Sequence, residues 1–282
     1  MELTVLDLLQ LPDVPVVVFA RSPLVLAICQ CQFTAVLGVN DPSFVARFQR
    51  AIRQSYPVAK QVDQFTVGIG FGSGEATVQQ ERKASNRWQF TDIEGNWTVV
   101  LAPDFLSLET RAYRHFLDFS RRLREVLVAL TEHIEPALGT RLGLRYINEL
   151  RLAPGQKDWP IKSELLGPLA VPTLREHAVQ AMQQLQFRYP DHQGISMHHG
   201  YFPQGTVVQP LPGQKFLDQP FYLLDMDIYR EFPLPGSEGV PMDPDIICDH
   251  MEVFNKAVYR LLRWAITEDY ASVIGEVHDR ER

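Results

Sequence analysis

Cysteine is scarce in this chain. Three residues in 282 are too few and too odd in number for a disulfide framework, and they fit a reducing compartment. An excess of positive charge is also lacking. Lys and Arg number 27 against 34 Asp and Glu, a formal net charge of −7, which disfavours a dedicated duplex-coating protein because phosphate neutralisation needs clustered cations. No long apolar run occurs: the stretch from Val14 to Leu37 is cut by Pro15, Arg21 and Pro23, short of the roughly 18 uninterrupted residues that cross a bilayer. The opening MELTVLDLLQLPDVPVVVFA carries Glu2, Asp7 and Asp13 where a secretory signal carries basic residues, and Pro12 and Pro15 break it. A soluble cytoplasmic protein with no membrane partner is the expectation. No zinc knuckle, P-loop or complete dinucleotide fingerprint is present, and no cofactor is expected.

What is present is ordinary globular composition, 45% hydrophobic and 22% charged, which excludes disordered and collagen-like classes. Leu24–Phe33 is β-rich with both alternating faces apolar, the pattern of a central strand. Asp41-Pro42 supplies an N-cap and a first-turn proline, and Val45, Phe48, Ile52 and Tyr56 follow at helical spacing up to Pro57. Phe65–Phe71, Arg87–Asp92, Asn96–Ala102 and Phe105–Thr110 read as an antiparallel meander punctuated by glycine and proline. From Arg111 to Pro136 the period becomes 3.6, with Phe116, Phe119, Leu123, Leu127, Leu130 and Ile134 in one stripe. Leu142–Leu152 then reads as a strand, with Leu144, Tyr146, Asn148 and Leu150 on one face and Arg145, Ile147, Glu149 and Arg151 on the other.

Beyond a Pro- and Gly-rich connection, Leu174–Leu185 is predicted helical, and Phe187–Tyr189, Gly194–Phe202 and Phe221–Phe232 are predicted strands. Asp243-Pro244 repeats the earlier capping device and opens a long helix with Met251, Phe254, Val258, Leu261 and Ala265 along its stripe. The expectation is an α+β protein of antiparallel sheets packed on long amphipathic helices. Two halves of similar pattern are read, 1–152 as strand, helix, meander, helix and strand, and 153–282 as helix, strands and helix.

Four groups of residues could carry chemistry. Cys29 and Cys31 share one side of a strand, and with Cys248 and His250 they make up four residues of the types that ligate zinc tetrahedrally, although buried packing is the commoner fate of such cysteines. His198 and His199, beside Asp191 and His192, include a possible general base for RNA cleavage, although neighbours on a strand point to opposite faces. Asp225 and Asp227 share a strand face, a spacing suited to Mg²⁺ or to an acid/base pair, and equally suited to ion pairs with Arg145 or Arg151 across a sheet. Arg114, Arg121, Arg122 and Arg124 lie on or beside the first long helix and could hold phosphate, although Asp118 reaches Arg121 and Arg122 at i+3 and i+4. The run Gly68-Ile-Gly70-Phe-Gly72-Ser-Gly74 lacks the apolar helix that a phosphate-binding turn requires, so a glycine-kinked strand or hairpin is the better account.

Ser22-Pro23-Leu24-Val25, FQRAIRQSYP (Phe48–Pro57), PDFLSLET (Pro103–Thr110), GLRYINEL (Gly143–Leu150), LLDMDIYRE (Leu223–Glu231) and VYRLLRWAITEDYASVIG (Val258–Gly275) together resemble an uncharacterised, sporadically distributed bacterial protein family of about this length. The resemblance implies a distribution similar to that of mobile or defence-associated genes. It implies no activity, substrate or catalytic residue.

The sequence therefore points first to a non-enzymatic protein-interaction or accessory protein, with a protein partner or a homo-oligomer. The alternatives are an RNA-binding or RNA-cleaving protein using the arginine helix with His198 or His199, and a Mg²⁺-dependent enzyme using Asp225 and Asp227.

Overall fold

The computed structural model describes residues 9–14, 18–64, 68–69, 78–79, 85–151, 159–204, 219–235 and 238–277. Its centre is one nine-stranded sheet in which every neighbouring pair is antiparallel. In chain order the strands are β1 (Leu24–Phe33), β2 (Val58–Gln64), β3 (Ser85–Thr91), β4 (Trp97–Ala102), β5 (Phe105–Thr110), β6 (Gly139–Arg151), β7 (Gln183–Arg188), β8 (Gln193–Phe202) and β9 (Phe221–Glu231). Across the sheet they run β7-β8-β9-β6-β1-β5-β4-β3-β2. Three long helices accompany it: α1 (Pro42–Ile52), α2 (Phe116–His133) and α3 (Pro244–Ala265). The fold is thus mixed α+β.

The central position of β1 follows from its composition. Ala27, Cys29, Cys31 and Phe33 enter the main core, while Leu26 joins Ile147, Phe202, Phe221 and Leu223 in a smaller cluster on the opposite face. A strand apolar on both sides is stable only between two others, here β5 and β6. The helices bury their apolar residues on the main-core face: Val45, Phe48 and Ile52 from α1, Phe119, Leu123, Val126, Leu127 and Leu130 from α2, and Met251, Phe254, Val258, Leu261 and Leu262 from α3.

Local signals set the helix starts. Asp41 caps α1 by accepting from Ser43 N–H at 2.8 Å, and Asp243 caps α3 by accepting from Asp245 N–H at 2.8 Å and Ile246 N–H at 3.2 Å. His115 caps α2 through Nδ1, which accepts from Asp118 N–H at 3.1 Å. Helix α2 stops where Glu135 adopts φ +54° ahead of Pro136, a left-handed closure.

Three boundaries differ from the sequence expectation. Val58–Gln64, between the helix expected up to Pro57 and the strand expected from Phe65, is the edge strand β2, paired with β3 from Val58↔Thr91 to Gln64↔Ser85. The helix expected over Leu174–Leu185 is one short turn, Pro172–Glu176, followed by a coil and by β7, which pairs with β8 from Gln183↔His199 to Arg188↔Gly194. A helix there would have had little to bury, since Leu174, Val179 and Met182 are all exposed, whereas the open edge of β8 offers a row of backbone hydrogen bonds. Of the expected strand Phe65–Phe71 only Gly68–Ile69 is described, paired with Val78–Gln79, and the remaining glycines of that run lie outside the described residues.

The strands of both sequence halves enter the same sheet, joined where β6, the last strand of residues 1–152, pairs with β9. Strand β1 pairs with β5 on one side and with β6 on the other. The two Asp-Pro helices do not occupy matching places in these traces, since α1 follows β1 directly whereas α3 follows β9.

Candidate functional site

On the sheet face away from the helices, β6 and β9 set arginines against carboxylates. Arg145 Nε and Nη2 donate to Asp225 Oδ1 and Oδ2 at 2.7 and 2.6 Å, and Arg141 Nη2 donates to Asp227 Oδ2 at 2.7 Å. Gly143, between the two arginines on the same face, makes the second pair feasible. A Cβ there would stand 2.7 Å from Arg141 Nη1 and 3.1 Å from Asp227 Oδ1. Arg151 pairs with Glu149 on its own strand and lies over Phe221, while Arg141 lies over the ring of Tyr229 at 4.5 Å. The Arg145 partnership with Asp225 is one that the strand alternation suggested. Asp227 instead takes Arg141, a residue the sequence did not single out because the bridge needs the gap at Gly143.

Both aspartates thus accept from guanidinium groups, Asp225 through both oxygens and Asp227 through Oδ2. Burial pushes the Asp227 carboxyl above its ordinary value, with Arg141 opposing the shift. Paired with Asp225, the Arg145 guanidinium is held more firmly protonated, burial opposing. Among the described residues no group of three or more His, Cys, Asp or Glu side chains is arranged to hold a metal ion.

His198 and His199 fall on opposite faces of β8. His198 Nδ1 stands 3.7 Å from Asp225 Oδ2, beyond hydrogen-bond distance, on the arginine-covered face. His199 is fully buried in the main core, its Nδ1 2.8 Å from Tyr222 Oη. Because Tyr222 donates its single proton to the Leu165 carbonyl at 3.0 Å, His199 must carry its own proton on Nδ1. Burial lowers its pKa below the ordinary 6.5. Asp191 and His192, at φ +57° and +56°, are the two central residues of the β7–β8 hairpin, the left-handed pair of a type I′ turn.

The cysteines are packing residues in the core: Cys29, Cys31 and Cys248 are all buried and unbridged. Cys29 Sγ lies 3.4 Å from Met251 Sδ. A hydrogen bond with Cys31, then burial, hold the Cys29 thiol well above its ordinary pKa. His250 turns elsewhere, its Nδ1 2.8 Å from the Ile246 carbonyl and its ring against Phe232 and Phe254.

The arginine helix is ion-paired. Arg121 and Arg122 reach Asp118 at 2.8 and 3.3 Å, and Arg124 bridges to Asp245 at the start of α3. Arg122 also lies 4.5 Å above Trp97. Arg114, Arg121 and Arg122 line a cleft of about 830 Å³, together with Asp92, Glu94 and Asp118. Their charges are balanced there by an equal number of carboxylates.

The β7 edge is open, with no other described strand paired on its outer side. Of thirteen exposed large hydrophobic residues among the described ones, five fall between positions 171 and 187: Val171, Leu174, Val179, Met182 and Phe187. The opposite edge, β2, carries exposed Lys60, a charge that discourages pairing, whereas β7 is Gln-Gln-Leu-Gln-Phe with a charge only at Arg188. The signal was visible in the sequence as an uncharged alternating segment, but the expected helix concealed it. No helix among the described residues is long and apolar enough to cross a membrane. Comparison of the chain with protein-family models, with curated proteins and with solved structures returns no match.

Proposed function

We propose that this is a non-enzymatic interaction protein that assembles with a second copy of itself through the outer edge of β7. The observation that carries the reading is that this edge is uncharged up to Arg188 and bordered by exposed Val179, Met182 and Phe187. Directly opposed residues of an antiparallel pair share a sheet face. Two β7 strands related by a twofold axis at Leu185 would place Leu185 against Leu185 and Gln183 against Phe187, continuing both sheet faces. The alternative chemistries draw on groups already occupied within the chain: both aspartates by arginine, His199 by Tyr222, and Arg121 and Arg122 by Asp118.

Sedimentation equilibrium at micromolar concentration tests the reading. The expected result is a species of twice the chain mass that Gln184→Lys with Phe187→Lys converts to monomer, with circular dichroism unchanged. A wild-type monomer at 100-fold higher concentration than the assay requires would sink it. Purification without nuclease addresses the RNA alternative, and a protein-like ratio of absorbance at 260 and 280 nm is expected.

A further inference from the structure

Apart from the β7 edge, the chain has a chamber partly open to solvent. It has a volume of about 530 Å³ and lies between the residues leading into β1, the start of α2, strand β6 and helix α3. Drug-sized ligands occupy cavities of roughly 300–1,000 Å³. Phe19, Leu24, Phe116 and Leu262 supply apolar wall, and Tyr113, Tyr146, Asn148 and Asn255 supply polar groups.

Those polar groups lie on the core side of the sheet, where leucine would serve if packing were the only demand. Core-facing positions of β6 are Leu142, Leu144, Tyr146, Asn148 and Leu150. Asn148 is only 1% exposed. Its Nδ2 donates to the Leu224 carbonyl at 3.2 Å, which fixes the orientation of the amide, and its Oδ1 has no hydrogen-bond partner among the described residues. A buried bare acceptor of this kind is destabilising until a donor reaches it. Beside it, strand β1 is irregular: its register against β6 slips between Leu24↔Asn148 and Leu26↔Ile147. Such slips are enriched next to binding and catalytic sites.

The rest of the polar array also has acceptor capacity to spare. Tyr146 Oη lies 2.9 Å from both Tyr113 Oη and Asn255 Oδ1. Its single proton reaches one of them, so Tyr113 must donate to Tyr146 if the proton goes to Asn255, and Tyr113 then keeps an oxygen lone pair. Burial pushes Tyr113 up to about 12 and Tyr146 well above the ordinary value, so both stay neutral phenols. Among the described residues no Asp or Glu lines the chamber, and exposed Arg114 is the one permanently charged residue of that lining.

We propose that this chamber binds a small apolar monoanion that places an N–H or O–H donor against Asn148 Oδ1 and its acidic group beside Arg114. An apolar body would fill the volume, the donor would satisfy the amide oxygen, and the anion would meet the guanidinium of Arg114. Among the described residues there is no carboxylate there for a cation to meet. The proposal is independent of assembly through β7, since the two use different residues.

Two fluorescent probes separate the parts of this proposal in the full chain at pH 7. 8-Anilinonaphthalene-1-sulfonate has an apolar body, one N–H and one anionic group, and N-phenyl-1-naphthylamine is the same body without the anion. One molecule of each is expected to bind per chain. Asn148→Ala should weaken both by about tenfold or more, the loss of one good hydrogen bond. Arg114→Gln should weaken the sulfonate about fivefold and leave the neutral probe within twofold. If Asn148→Ala does not fold, Ser22→Trp at the exposed rim replaces it, and probe binding should then be lost with the circular dichroism spectrum retained. Several probe molecules per chain, or binding unchanged by Ser22→Trp, would overturn the site. Equal responses of the two probes to Arg114→Gln would overturn the assignment of a monoanion.

Discussion

Arg145 closes a two-bond fork on Asp225, with one nitrogen on each carboxylate oxygen at 2.7 and 2.6 Å. The arginine lies two residues along β6 from the position directly opposite Asp225, which is Ile147. It therefore reaches diagonally across the strands, and the pair ties β6 to β9 on the face that the helices leave uncovered. Asp225 is nearly buried, with 6% of its side chain exposed against 36% for Arg145. Removing the arginine leaves the Asp225 charge without the two bonds that satisfy both oxygens.

Arg145→Ala is accordingly expected to destabilise the protein by about 2 kcal/mol, less than the ~3–5 kcal/mol of a fully buried pair because the arginine is partly solvated. Replacing both partners, Arg145→Leu with Asp225→Leu, should recover most of that loss. Urea unfolding midpoints check this. A Mg²⁺-dependent rise in stability that vanishes in Asp225→Asn would instead mark the aspartates as metal ligands.

The buried histidine sets a pH dependence. The folded-state pKa of His199 is lowered by burial below the ordinary 6.5, so the unfolded chain takes up a proton that the folded chain refuses. The contribution of His199 is fully present above about pH 6.5 and is lost as pH falls toward the lower folded value, with a slope of at most about 1.4 kcal/mol per pH unit. His199→Gln should flatten this part of the stability curve. Denaturant melts at pH 7.5 and 5.5 measure the difference, and equal slopes in the two proteins would contradict it.

Thiol reactivity reports on Cys29, Cys31 and Cys248. All three are buried, and the Cys29 thiol is held protonated. Native protein is expected to react slowly or not at all with a thiol reagent such as 5,5′-dithiobis(2-nitrobenzoate), and three thiols should react in denaturant. Rapid labelling under native conditions would show that these sulfurs are reached from solvent.

At the end of α2, Glu135 adopts φ +54°, a conformation that costs a side-chain-bearing residue about 1 kcal/mol. Glu135→Gly should raise stability by about 0.5–1 kcal/mol, because the strain relieved exceeds the entropy that glycine loses at a position already left-handed. Removing the cap at the other long helix has the opposite sign: Asp243→Ala should cost about 1 kcal/mol, since two N–H groups of α3 lose their acceptor. Thermal midpoints of the two variants should move in opposite directions.

Much of this protein is determined by residues close together in sequence. Leu24–Phe33 and Phe105–Thr110 are legible to the residue because alternation and flanking turn residues are local, and Asp243-Pro244 announces α3 for the same reason. The placement of Tyr146 and Asn148 on one face of β6, and of Asp225 and Asp227 on one face of β9, also follows from the period of two alone. Tertiary structure decided the rest. Gln183–Leu185 is strand rather than helix because the edge of β8, a partner outside the local window, supplies its hydrogen bonds. Asp227 chose Arg141 because Gly143 leaves room for the guanidinium. The chamber gathers Phe19, Tyr113, Tyr146, Asn148 and Asn255 from segments scattered over most of the chain. Such sites depend on long-range closure of the sheet and on what each buried polar atom finds nearby, and a linear pattern encodes neither.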